Sequence, residues 1–225
     1  VAESHPAALP PAQRTIGQLV AESIRFYGER FWATLLLGLA PAALAVVAAN
    51  VSRRTSLVLA PTLSGALLSA AFVGACVLVL GRRPSRSRLV VAWLAGWFVF
   101  APVPFLVLAF VLPGLVWLAA FGLVVPVLVA EDTPPREALG RAWRLARADF
   151  VHALGSLATL AIVVFLSQAV LAFILRGFGG AAVSTAFFLA NVVVAPLLFV
   201  GTALLYVDQS ARRDSIGDRS PPARV

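Results

Sequence analysis

The chain has 225 residues, of which 60% are hydrophobic and only 12% charged, with a mean hydropathy of +0.93. A water-soluble domain carries about 25% charged residues, so there is too little polar surface here to coat a soluble globule, and lipid has to cover most of the outside. The net charge of +8 rests on arginine alone, and the arginines flank apolar runs instead of forming a soluble module, which sets nucleic acid aside in favour of anionic lipid headgroups.

Residues 1–14 lack the basic start and apolar core of a signal peptide and are expected to form a disordered cytoplasmic tail. From Thr15 to Phe31, apolar Ile16, Leu19, Val20, Ile24, Tyr27 and Phe31 recur at helical spacing, with Gln18, Glu22, Arg25 and Glu29 opposite. This pattern predicts an amphipathic helix at the membrane interface over 15–30.

A charge at the centre of a membrane helix costs roughly 2.5–3.5 kcal/mol on insertion scales, so long runs without Asp, Glu, Lys or Arg mark spans. About 20 residues cross a hydrocarbon core of about 30 Å. The runs at about 31–50 and 57–80 supply one span each. The next run, from Leu89 to Ala130, is twice as long and has to fold back; Pro113-Gly114 is its turn signal, predicting spans at about 89–112 and 114–130. Within it, Ser85–Trp97 carries Arg86 and Arg88 at its start and Trp93 and Trp97 four apart, a fainter copy of the first interfacial helix.

A second strong amphipathic segment covers 133–150. Leu139, Ala142, Trp143, Ala146 and Phe150 form its apolar stripe, Glu137, Arg141, Arg144 and Ala148 its other side, and Thr133 is the expected N-cap before Pro134 or Pro135. Spans follow at about 153–175 and 183–207, then a basic tail over 211–225, expected to be disordered. The expected fold is an all-α, six-span membrane bundle over 15–210 with interfacial helices on the cytoplasmic side. Interfacial helix, span, turn, span then recurs three times, which suggests an internal repeat.

Six spans divide the arginines sharply. Fifteen fall on the side of both termini; Arg53, Arg54 and Arg176 fall opposite. Cytoplasmic loops carry the Lys/Arg excess, so both termini are expected in the cytoplasm and the protein in the plasma (inner) membrane.

The segments "TIGQLVAESIRFYGERFWATLLLGLAP" and "LPGLVWLAAFGLVVPVLVAEDTPPREALGRAWRLARADF" resemble the glycerophosphoryl diester phosphodiesterase membrane domain family, in its stand-alone form. The resemblance rests on Arg30-Phe31-Trp32 at the entry to the first span, on Pro113-Gly114, and on Glu131 followed by Glu137-Ala138-Leu139. The family's glycine-rich turn after the acidic residue is replaced by Thr133-Pro134-Pro135. What the resemblance implies is a six-span helical domain, fused in some members to a phosphodiesterase barrel that this chain does not contain.

Phosphodiester hydrolysis needs carboxylates and histidines around a metal, and His5 and His152 are too few; Cys76, alone in an apolar run, builds neither a disulfide nor a metal site. No cofactor is expected. Glu131-Asp132 reads as an acidic pair starting the following helix against Arg136. Pro102 and Pro104 are the strongest helix-break candidates, read first as structural kinks. Gln168 and Asn191 lie at matching depth in consecutive spans, where they can hydrogen-bond to each other. Arg82, Arg83, Arg86 and Arg88 with Arg136, Arg141, Arg144 and Arg147 form a cytoplasmic belt suited to anionic headgroups.

These features favour a non-enzymatic integral membrane protein that contacts lipids or organises membrane-protein partners. The alternative is a small permease-like carrier of an amphiphilic substrate. An enzyme comes third, with Glu131, Asp132, Asp149 and Asp208 as its only acidic groups at interfacial depth.

Overall fold

The computed structural model describes residues 10–176 and 180–217. The ends of the chain beyond them, and the Gly-Phe-Gly of the turn after Arg176, lie outside the described residues. Within them the protein is helical and contains no strand. A short 3-10 turn (Pro11–Gln13) leads into α1 (Ile16–Glu29), α2 (Phe31–Leu37), α3 (Leu39–Asn50) and α4 (Arg53–Leu80). Then come α5 (Arg86–Phe100), α6 (Val103–Ala109), α7 (Val111–Phe121) and α8 (Val124–Ala130). The chain ends with α9 (Pro135–Ala148), α10 (Phe150–Leu175), α11 (Gly180–Val194) and α12 (Pro196–Gly217).

Five stretches are long and apolar enough to cross a bilayer: Pro61–Leu80, Arg86–Val107, Val111–Ala130, Phe150–Leu175 and Ser184–Ser215. Ile16–Glu29 and Phe31–Val47, joined at Arg30 with a bend of 107°, bring the number to six when the bent pair is counted as one span. The protein is thus an all-α polytopic membrane bundle.

Proline marks four of the points where helices divide, while Pro61 lies inside the unbroken α4. Proline lacks an N–H and crowds the carbonyl four residues back, which is tolerated in the first turn of a helix, where that donor has no partner anyway. Pro41 is third in α3, Pro104 second in α6, Pro126 third in α8 and Pro196 first in α12. The preceding piece stops just short of each, at Leu37, Phe100, Phe121 and Val194. Pro102 and Pro104 therefore do mark a break, between α5 and α6. The neighbouring Val99 carbonyl accepts the Trp117 indole N–H at 2.9 Å, so the kink is sealed by a side chain from α7.

The middle hairpin turns earlier than expected. Its reversal is Phe110, in extended backbone (φ −161°, ψ 147°), while Pro113 and Gly114 lie inside the first turn of α7. Proline suits that position for the reason just given, and a Cβ on Gly114 would come within 2.8 Å of the Val107 side chain, so this glycine lets α7 close onto α6. Ser85–Trp97 is likewise no separate interfacial helix: α5 runs unbroken from Arg86 into its span.

The tails also differ from expectation. Residues 10–14 are ordered against α12 through Arg14, and α12 continues to Gly217, so Ala211–Gly217 is helix.

The bundle is held by small residues and indole hydrogen bonds. Gly96 on α5 packs on Ser69 of α4, where a Cβ would lie 2.2 Å from Ser69 Oγ, and Gly65 on α4 lies against the Trp97 ring, where a Cβ would come within 2.5 Å. Ser69 donates to the Trp93 carbonyl at 2.6 Å, Trp93 to the Ala66 carbonyl at 2.9 Å and Trp97 to the Thr62 carbonyl at 3.1 Å. Phe72, Phe100 and Phe199 form the aromatic centre, with centroids 5.7 to 6.3 Å apart. Gly38, at the α2–α3 break, sits directly on the Val192 carbonyl; a Cβ there would come within 2.0 Å of that oxygen. Val192 O is the carbonyl four residues before Pro196, which cannot donate to it.

The two amphipathic helices start and lie differently from each other. Thr15 and Gln18 form a capping box on α1, which buries Leu19 and Ser23 against the bundle. On its solvated side Arg25 pairs with Glu29 and Glu22; its hydrogen bond to Glu29 and the two negative charges raise the guanidinium pKa. α9 has Pro134 as N-cap with Pro135 opening the helix; Thr133 does not cap it. Its buried side is Ala138, Ala142, Leu145 and Ala146, rotated from the expected stripe. Small alanines allow close packing, and this turns Leu139 and Trp143 outward, 47% and 40% exposed.

Candidate functional site

Charge collects at one end of the bundle, where α4, α8 and α12 finish, α5 and α10 begin, and α1 and α9 lie. We call this the basic end. Two ion-pair networks organise it.

The first is centred on Glu131, the residue that ends α8. Its Oε1 accepts from Arg141 Nε at 3.2 Å and from the Tyr206 hydroxyl at 3.0 Å, so one carboxylate oxygen ties α8 to α9 and α12. Its backbone carbonyl accepts from Arg88 Nη1 at 3.0 Å, and Arg88 also pairs with Asp132. Arg82 donates to the Ala130 carbonyl at 2.6 Å. The acidic pair thus orients Arg141 and Arg88, and the expected pairing with Arg136 does not occur. A cleft of about 340 Å³ lies between Ser87, Arg88 and the Asp132–Pro135 segment.

The second network joins the N-terminal segment, α10 and α12. Asp149 caps α10 by accepting from the His152 backbone N–H at 3.0 Å, and its other oxygen accepts from Arg212 at 3.0 Å. Gln209 donates to the Asp149 carbonyl at 3.1 Å. Arg212 donates in turn to the Arg14 carbonyl at 2.5 Å, and Arg14 pairs with the fully buried Asp208 at 3.2 Å. Tyr206, Gln209 and Arg213 fall three and four apart on α12, as do Asp208 and Arg212, a helical signal of polar residues running onto the bundle that sequence reasoning missed.

The belt arginines therefore divide into two sets. Arg82, Arg88 and Arg141 are tied to the protein by the contacts above, Arg82 from an exposed position. Arg83, Arg86, Arg136 and Arg144 are exposed and make no ion pair with a carboxylate among the described residues. Arg147 is exposed and stacks over Trp143, 4.8 Å from the ring centroid, while Trp143 lies against Phe121 at 5.9 Å. This places an aromatic anchor and a cation together at the outer side of α9.

Away from this end, Gln168 Nε2 donates to Asn191 Oδ1 at 3.3 Å, and Asn191 Nδ2 donates to the Phe187 carbonyl at 2.8 Å, linking α10 to α11. A pocket of about 640 Å³ opens between α3 and α11 beside Asn50 and Ser184, at the opposite end of the bundle. Among the described residues no three His, Cys, Asp or Glu side chains come together with the spacing of a metal site. Cys76 is buried and free. Comparison with models of known protein families, with curated proteins and with solved structures gives no match.

Proposed function

We propose that the protein is a non-enzymatic plasma-membrane protein whose basic end, facing the cytoplasm, binds the anionic headgroups of the surrounding lipid. What carries the reading is the division of the arginines. Glu131, Asp132, Asp149 and Asp208 at that end are each already paired with an arginine of the protein itself. Arg83, Arg86, Arg136 and Arg144 point outward in excess of those pairs, and each contributes about 1 kcal/mol near an anionic membrane surface. Trp143 and the 78%-exposed Trp32 supply the aromatic girdle that fixes a bundle at that depth. The elbow at Arg30-Phe31-Trp32 is also among the features shared with the glycerophosphoryl diester phosphodiesterase membrane domain, and we propose that relationship with the function.

The carrier alternative has one observation in its favour: the breaks of α2–α3 and α11–α12 face each other at Gly38 and Val192, and broken spans are where carriers hold substrates. Direct backbone contact at that point favours packing over a substrate pocket.

The test is native mass spectrometry of the protein extracted with its lipid patch. Arg83→Gln, Arg136→Gln and Arg144→Gln together should strip co-purifying anionic lipid while leaving the fold intact. Unchanged anionic lipid would overturn the proposal, and a discrete non-lipid molecule held in stoichiometric amount would favour the carrier.

A further inference from the structure

An apolar groove of about 670 Å³ runs along the outside of the bundle between α2, α4 and α5. Ala70 and Gly74 on α4 form its floor, with Leu36 on one rim and Val90 on the other, 65% and 55% exposed. Trp93 closes the inner end, and because its indole N–H is spent on the Ala66 carbonyl it presents no polar atom to the groove. A volume of this size is large enough for a bound ligand, and the lining accepts only hydrocarbon.

What decides the occupant is the other end. Toward the basic end the groove is lined by Leu78 and Leu89. Arg86 stands three residues before Leu89, four before Val90 and seven before Trp93, so it shares their face of α5 one turn beyond the groove. Arg30 stands three residues before Ala33, another lining residue, at the elbow into α2, and its guanidinium donates to the Leu78 carbonyl at 3.4 Å. Both arginines are exposed, neither has a carboxylate partner among the described residues, and Arg30 keeps further N–H donors to offer. A hydrocarbon slot bordered at its interfacial mouth by two guanidinium groups without a carboxylate partner, Arg30 lying over the Phe26 ring, matches one class of molecule.

We infer that this groove holds one acyl chain of an anionic glycerophospholipid, with the phosphate headgroup gripped between Arg30 and Arg86. This deepens the headgroup reading above and rests on it: the belt attracts anionic lipid at large, whereas the groove retains a single molecule by its tail as well. Zwitterionic lipid fits the slot but brings no net charge to the arginines, so the site discriminates by headgroup.

The experiment reconstitutes the full chain in phosphatidylcholine containing a minor share of phosphatidylglycerol and counts lipids retained through stepwise detergent washing, by native mass spectrometry. The unaltered protein should keep one phosphatidylglycerol per chain. Ala70→Phe, at an exposed position on the floor, should fill the groove and abolish retention with no change in charge. Arg30→Gln with Arg86→Gln should weaken it by about thirtyfold. Circular dichroism and the melting temperature establish that each variant is folded, and Val90→Phe repeats the filling from the opposite rim. Retention lost in the Arg83, Arg136 and Arg144 variant but intact in both filled variants would overturn the groove and leave the belt standing. No phosphatidylglycerol on the unaltered protein would overturn both, and equal retention of phosphatidylcholine would overturn the assignment of the headgroup.

Discussion

The Tyr206 hydroxyl donates to Glu131 Oε1 at 3.0 Å across 75 positions of sequence, and the same oxygen receives Arg141. Tyr206→Phe removes one donor while Arg141 still satisfies the carboxylate, so it should cost about 0.5–1.5 kcal/mol. Glu131→Ala leaves a buried hydroxyl and a guanidinium both without their acceptor and should cost about 1–3 kcal/mol. In the double variant the two losses should fall short of adding, since both remove the same bond. Thermal unfolding in lipid discs checks this; strictly additive losses would mean that the pair contributes nothing.

Asp149 does two separable jobs, capping α10 and pairing with Arg212. Asp149→Asn keeps an oxygen to accept the His152 N–H but gives up the charge; Asp149→Ala gives up both. The asparagine variant should be the milder, and the alanine variant should lose about a further 0.5–2 kcal/mol, the worth of a helix cap. Equal unfolding temperatures for the two would show that the cap is idle. Lipid retention should be unchanged in both, because neither belt nor groove is touched.

Gly38 is where two broken spans meet. Gly38→Ala puts a methyl 2.0 Å from the Val192 carbonyl oxygen, and backbone on both sides has to move. Forced overpacking of this kind costs about 1–3 kcal/mol. Gly17→Ala is the control: it lies within α1 with nothing within 4 Å, so it should be neutral or stabilising by about 0.5–1 kcal/mol. Melting temperatures that fall for the first and hold for the second bear the contact out; two equal values would not.

The spans were legible because hydrocarbon leaves no latitude: a charge-free run of the right length has few other uses. Gln168 and Asn191 could be matched because depth in a helix follows from counting residues to the span ends, and they do meet. Directions around a helix axis are another matter. Spacing puts Leu139 and Trp143 in one apolar stripe with Ala142 and Ala146, yet α9 packs its alanines on the bundle and leaves the two large residues outside, because a helix lying at an interface can turn bulky apolar residues toward lipid at little cost and gains close packing through the small ones. Turn placement failed for a related reason. Pro113-Gly114 reads as a reversal, but proline is equally at home in the first turn of a helix, and a lipid-facing loop of one residue at Phe110 carries no composition signal. At the basic end, which arginine each carboxylate takes is a long-range matter that spacing does not encode; Glu131 passes over Arg136 for Arg141.

Orientation is open to a direct test that the chain's own composition makes clean. Cys76 is the sole cysteine and is fully buried, so the unaltered protein should take up no membrane-impermeant maleimide. Ser87 is exposed beside the belt, and Asn50 is exposed at the opposite end, where only Arg53, Arg54 and Arg176 lie. The lopsided arginine count predicts that the Ser87 end faces the cytoplasm. In right-side-out vesicles Asn50→Cys should label and Ser87→Cys should not; in inside-out vesicles the pattern should reverse. The opposite pattern would turn the molecule over, putting the belt and the mouth of the groove against the outer leaflet and removing the cytoplasmic anionic surface on which the proposed function depends.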